Sequence, residues 1–309
     1  MSGHAAHRSP SSLRLYSPAG VVKAVPALRR AARHLERLGF TVEVDEAATH
    51  KVQRFAGEDA VRLAALHRTA AARPDIALAS RGGYGLTRLL AAIDWRAIAR
   101  SVESGTRWVG HSDLTSLQLG LLATHGAVSW AGPLACDDFG RTAEEGGVDD
   151  VTEGCFLEAM SGELEAVGFR TGVGHDGLET RGTLWGGNLC VVNSLLGTPW
   201  FPRTKGGILF LEDVNEHPYR VERNLLQLHH AGVLDAQKAV VLGAFTAWRK
   251  SPLDRGYTMA SAIARVREVS RTPILTGLPF GHVPTKVTLP VGVRARLLVD
   301  GRQAYLAWN

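Results

Sequence analysis

Four short segments of this 309-residue chain bring glycine, hydroxyl, carboxylate or imidazole groups to points where a strand gives way to a turn. In Arg81-Gly82-Gly83-Tyr84-Gly85 the glycines let backbone N–H groups face a ligand. No Lys-Ser/Thr pair follows, and the G-x-G-x-x-G spacing is absent. The segment therefore reads as a phosphate cradle or as a tight strand-to-helix turn. Gly110-His111-Ser112-Asp113 would hold the Ser112 hydroxyl clear of a sheet with the Asp113 N–H at a helix start. That is the logic of a nucleophile elbow, although Leu114 replaces the last glycine of G-x-S-x-G. Local sequence alone reads Ser112 first as a helix N-cap.

The run Leu211-Glu212-Asp213-Val214-Asn215-Glu216 delivers two adjacent carboxylates at the end of a hydrophobic strand. Neighbours in a strand point to opposite faces, which excludes a paired-carboxylate glycosidase and leaves one of them to orient a histidine. The other reading is capping by Asp213 or Asn215, with Glu216 in a first helical turn. Leu278-Pro279-Phe280-Gly281-His282 sets a histidine in a Pro/Gly-bounded loop, where function concentrates. Thr183-Leu184-Trp185-Gly186-Gly187-Asn188 offers Trp185 either as a binding aromatic or as a packed ring beside a turn. The other eleven histidines form no H-E-x-x-H or similar set, so neither a metal nor another cofactor is expected.

Positioning these groups requires strands that alternate with helices. Residues 13–18 read as a strand and the turn Pro18-Ala19-Gly20 follows it. Val22, Val25, Leu28, Ala32 and Leu35 then share one face of a helix that Gly39 stops. Alternation continues with strand 40–44, helix 57–72, strand 75–80, helix 86–100, strand 107–110, helix 113–125 and strand 128–132. Such spacing predicts a parallel sheet with helices on both faces. Residues 137–176 are rich in Gly, Asp and Glu and read as a linker with one short helix. Beyond them 207–214 and 239–245 look like buried strands around a helix at 219–231, and the tail reads as β-hairpins. The expected division is an N-terminal domain at 1–140, a linker at 141–178 and a C-terminal domain at 179–309.

Apolar residues make up 45% of the chain and charged residues 21%, which excludes a disordered or collagen-like polymer. No apolar run approaches the roughly 20 residues of a membrane span, and the polar opening residues lack the apolar core of a signal peptide. Cys136, Cys155 and Cys190 are odd in number and far apart, which suits a reducing compartment. The net charge of +5 raises nucleic acid as a partner. Yet the densest basic cluster, Arg29, Arg30, Arg33 and Arg37, reads as a solvated helix face without a nucleic-acid motif.

Together, SRGGYG (80–85), GHSDLTSL (110–117), GTLWGGNL (182–189), FLEDVNEHPYRVERNLLQL (210–228) and LPFGHVP (278–284) resemble one family. These five blocks, in this order, are similar to the LD-carboxypeptidases, or muramoyltetrapeptide carboxypeptidases. The resemblance implies a flavodoxin-like N-terminal domain joined to a smaller β-rich α/β domain, often as a homodimer. It also implies a triad of Ser112, Glu212 and His282, with the Gly83 and Asp113 N–H groups as an oxyanion hole. Family members are cytoplasmic and remove the terminal D-alanine of murein tetrapeptides or muropeptides in peptidoglycan recycling. A carboxypeptidase must hold a free carboxylate, for which Arg81, Arg220 and Arg223 are candidates by proximity to the motifs. Tyr84, Trp185 and Asn188 are further substrate-binding candidates. A sister group with a similar triad cleaves peptidyl-nucleotide antibiotics of the microcin C type. A non-catalytic flavodoxin-like binding protein is the remaining alternative. One residue departs from the pattern: His111 stands where many relatives carry an aromatic or aliphatic side chain.

Overall fold

The computed structural model describes residues 11–308. Its first half alternates β1 (Ser12–Tyr16), α1 (Val25–Arg37), β2 (Thr41–Val44), α2 (Asp59–Ala72) and β3 (Ile76–Ala79). It continues through α3 (Trp95–Glu103), β4 (Arg107–Gly110), α4 (Thr115–His125) and β5 (Ser129–Ala131). The strands pair in parallel in the order β2-β1-β3-β4-β5, the doubly wound flavodoxin arrangement. Period-2 alternation sorts the core. Leu13, Leu15, Ile76, Leu78 and Val109 face α1, while Tyr16, Ala77, Ala79 and Trp108 face α2, α3 and α4.

The second half runs through α5 (Asp150–Ser161), β6 (Ala166–Arg170), β7 (Glu179–Asn188), α6 (Leu189–Ser194) and β8 (Ile208–Val214). There follow α7 (Pro218–His230), β9 (Ala239–Thr246), α8 (Met259–Val269), β10 (Ile274–Thr276), β11 (Leu289–Val291), β12 (Arg294–Asp300) and β13 (Gln303–Trp308). Seven strands form the second sheet, in the order β10-β9-β8-β7-β12-β13-β6. The ten residues of β7 serve two neighbours. Its first half pairs antiparallel with β12 and its second half parallel with β8.

Several expectations are corrected. The helix expected over 86–100 is a 3-10 turn at Leu86–Arg88 followed by α3, because the Asp94 side chain caps a new start at the Ala97 N–H. The helix expected from 113 begins as a 3-10 turn at Ser112–Leu114. The segment expected as a linker holds both α5 and β6. Phe156, Ala159 and Met160 of α5 are buried with Leu13 and Leu35 of the first domain, while β6 closes the far edge of the second sheet on β13. In the tail only β12 and β13 form a hairpin. β11 instead crosses back and pairs antiparallel with β5, at an edge where Pro290 needs no donor. The reading of the opening residues as free of a signal peptide falls on 1–10, outside the described residues. Among the described residues no helix is long and apolar enough to cross a membrane.

Candidate active site

Two sheets bring their carboxyl ends to one cleft, the usual ligand position in open α/β sheets. On the N-terminal side, β3 ends in the glycine turn and β4 ends at Gly110, so His111 and Ser112 emerge above the sheet. Ser112 takes a φ of 64°, the left-handed region that non-glycine residues rarely occupy. The glycine turn lies against it. A Cβ on Gly82 would come within 2.6 Å of Ser112 Cβ and 2.9 Å of its Oγ, so no other residue fits there without displacing the serine. Gly20 N–H donates to the Gly82 carbonyl at 3.0 Å, and the buried Arg62 guanidinium donates to the carbonyls of Pro18 and Gly85. Among the described residues the Gly83 N–H donates to no protein acceptor.

The C-terminal sheet supplies the acid and the imidazole. Glu212 sits at a register irregularity of β8 between Leu211 and Asp213, and it is fully buried. Strict alternation would send Glu212 and Asp213 to opposite faces. At this irregularity Asn188 Nδ2 reaches both, donating to Glu212 Oε1 at 3.2 Å and to Asp213 Oδ1 at 2.8 Å. His282 Nδ1–H donates to Glu212 Oε2 at 2.7 Å. Burial alone would lower the His282 pKa. The hydrogen bond and charge of Glu212 override it and hold the imidazole above the ordinary histidine value.

Ser112 and His282 line one cavity of about 490 Å³ with Arg81, Gly82, Gly83 and His111. Among the described residues no hydrogen bond joins Ser112 Oγ to His282, a contact that often tightens only with substrate bound. His111 packs edge-on against His282, with ring centroids 4.9 Å apart. Burial, reinforced by the charges of His282 and Lys286, holds its pKa well below the ordinary value. Its Nδ1–H therefore donates to the Gly132 carbonyl at 2.8 Å from a neutral ring. On the wall of the same cavity the buried Lys286 ammonium pairs with buried Asp138. Asp113 accepts from the Leu86 N–H at 2.7 Å, and burial pushes its carboxyl up to about 6.

The structure brings Ser112, Glu212, His282, Gly83, Asp113 and Arg81 around this cleft and leaves other expected residues outside it. Trp185 is fully buried, packs on Phe201 and donates its indole N–H to Gln237. Asn188 is likewise buried and holds Glu212. Arg220 is half exposed and ion-paired with Glu216, and Arg223 lies over the Tyr219 ring. Tyr84 is exposed beside Phe55 and Arg54. Sequence pattern does not single out Lys286 and Asp138, whose pairing spans 148 residues, nor Arg62, whose guanidinium holds the carbonyls of two separate turns. Burial raises all three cysteine pKa values, Cys136 to about 12, which suits packing rather than nucleophilic attack. Among the described residues no group of three or more His, Cys, Asp or Glu side chains could hold a metal ion.

A family model described as the LD-carboxypeptidase N-terminal domain matches residues 13–132, and one described as the C-terminal domain matches residues 181–297. The crystal structure of muramoyltetrapeptide carboxypeptidase from Oxalobacter formigenes superposes with a TM-score of 0.88 at 39% identity, over 97% of this chain and 99% of that one. The murein tetrapeptide carboxypeptidase of Pseudomonas aeruginosa is 29% identical over 291 residues, covering 92% of each chain. Microcin C7 self immunity protein MccF, solved with aspartyl sulfamoyl adenosine, shares the fold with a TM-score of 0.85 at 20% identity, over 98% and 97% of the two chains. Fold and matches define the class as a carboxypeptidase assembled from two α/β domains. The chain belongs to the LD-carboxypeptidase family.

Proposed function

We propose that this chain is a cytoplasmic serine carboxypeptidase that removes the terminal D-alanine from murein tetrapeptides in peptidoglycan recycling. Its triad is Ser112, His282 and Glu212. One observation carries the reading: an imidazole already fixed by a buried carboxylate at 2.7 Å shares a cavity with a serine held at positive φ. Glu212 accepts Nδ1–H, which leaves Nε2 free to take a proton. Ser112 Oγ attacks the carbonyl carbon at the L-centre of the diamino acid while His282 Nε2 receives the hydroxyl proton. The oxyanion is met by the N–H groups of Gly83 and Asp113, and each such donor typically contributes about 10²–10³ in kcat. Collapse breaks the C–N bond as His282 returns the proton to the departing D-alanine amine. Water, activated by the same imidazole, then releases the acyl group from Ser112.

The test is mass spectrometry of L-Ala-γ-D-Glu-meso-diaminopimelate-D-Ala incubated with the protein in EDTA, beside Ser112→Ala. Loss of one alanine with wild type alone is expected. Folded wild type that leaves the peptide intact sinks this reading and makes aminoacyl nucleotides, the class of ligand in the MccF complex, the next substrates to try.

A further inference from the structure

A second cavity of about 350 Å³ adjoins the catalytic one and shares Lys23, Arg81, Asp137 and Arg141 as a common wall. Arg30 and Glu145 also line it, so four cations face two carboxylates. The three guanidinium groups are held by backbone carbonyls rather than by acids. Arg30 Nε donates to Gly140 at 2.8 Å, Arg81 Nη1 to Val21 at 3.0 Å, and Arg141 Nη2 to Glu145. A carbonyl partner fixes a guanidinium in place without neutralising it, and the four cations outnumber the two carboxylates of the annex by two. Such an annex suits an oxyanion.

A murein tetrapeptide offers carboxylates besides the terminal one: the α-carboxylate of the γ-linked D-glutamyl residue and, in diaminopimelate stems, the carboxylate on the diamino-acid side chain. The geometry points to this annex as the subsite for a substrate carboxylate on the acyl side of the scissile bond. It therefore sets a preference for acidic over neutralised stems. The inference rests on the proposed hydrolase reading and names a substrate feature that the reading alone leaves open.

Three tetrapeptides test it: the diaminopimelate stem, the lysine stem, and the diaminopimelate stem with D-isoglutamine in place of D-glutamate. Each is assayed with wild type and with Lys23→Gln/Arg141→Gln. Lys23 is exposed and Arg141 partly exposed at the annex, and Gln removes the charge of each while keeping a polar, uncharged tip on a shorter stem. Binding of the same peptides to Ser112→Ala, with and without the two Gln substitutions, is measured by calorimetry. A charge-assisted contact predicts a preference of about tenfold or more in kcat/KM for the fully acidic stem, carried mainly by KM. The double variant loses that preference. A penalty confined to the lysine stem assigns the annex to the side-chain carboxylate, and one confined to isoglutamine assigns it to the glutamyl α-carboxylate. Equal handling of all three peptides by both proteins overturns the annex while leaving the hydrolase reading intact. Absence of cleavage with charge-dependent binding to Ser112→Ala does the reverse. Absence of both removes the two together.

Discussion

At Ser112 the chain accepts a φ of 64° that a serine ordinarily avoids, and the same distortion lifts its hydroxyl into the cleft. Left-handed backbone at a non-glycine residue costs roughly 1–3 kcal/mol, whereas added glycine freedom in the unfolded chain costs roughly 0.4–1. Ser112→Gly is therefore expected to abolish turnover yet unfold at a denaturant midpoint no lower than wild type. A clear drop in midpoint would show the torsion to be unstrained. Ser112→Ala, Glu212→Ala and His282→Ala should each lower kcat by at least about 10³-fold, and their combination should add little, because the three act as one unit. Near-normal turnover in any of them would remove that residue from the triad. The pH profile follows from His282. A base whose pKa is held above the ordinary 6.5 must lose its proton before it works, so kcat/KM should rise with a midpoint above pH 6.5. The stability from the His282–Glu212 pair runs the other way. It is fully present below about pH 6.5 and is lost as pH rises through the native value. An acid limb centred below 6 would contradict both statements.

Between residue and molecule stand the elements that aim these groups. The glycine turn after β3 can meet the serine only because position 82 has no side chain, its absent Cβ lying 2.6 Å from that of Ser112. Gly82→Ala should leave the fold in place, as judged by circular dichroism, and reduce kcat about 10²-fold by moving the nucleophile. On the opposite sheet the end of β7 does comparable work. Asn188 Oδ1 accepts the Val191 N–H to cap α6, while its Nδ2 serves the carboxylates of Glu212 and Asp213. Asn188→Leu removes one donor from each of two buried carboxylates, which keep their bonds to His282 and to the Cys190 and Val214 N–H groups, so a loss of about 1–3 kcal/mol in unfolding free energy is expected, together with lowered kcat. Unchanged chemical denaturation would show that neither carboxylate depends on it.

One hydrophobic core of the molecule runs through both sheets, and a second lies on the other face of the first sheet. Trp108, Leu117 and Leu119 of the first domain share a core with Trp185, Phe210, Val240 and Leu297 of the second. α5 packs under the first sheet, β6 completes the second, and β11 crosses back to β5. Unfolding of either domain would expose the other's apolar face, so calorimetry should record a single cooperative transition. Two resolved transitions would mean that the domains are thermodynamically separate.

Periodicity and glycine placement were enough to predict the parallel sheet of the first domain, its helices and the strands that carry Ser112 and Glu212. These are local properties of a chain that alternates buried and exposed positions. The order of the five sequence blocks also pointed to the family and to its three candidate triad residues. The sequence allowed one short helix in residues 141–178, but its periodicity did not reveal that the helix packs into the first domain, that a sheet-edge strand follows it, or that β11 leaves the tail for the first sheet. All three depend on partners more than a hundred residues away. The same holds at the cleft. The loop-like segment 183–188 offers Trp185 and Asn188 as binding candidates, with a packed ring as the other reading of Trp185; burial makes Trp185 core and Asn188 the support of Glu212. Lys286 and Asp138, 148 residues apart, become a pair only when the second domain folds over the first. Local patterns determined the strands and turns. Tertiary packing decided which polar groups meet, because a buried charge is tolerated only beside the partner that the whole fold brings to it.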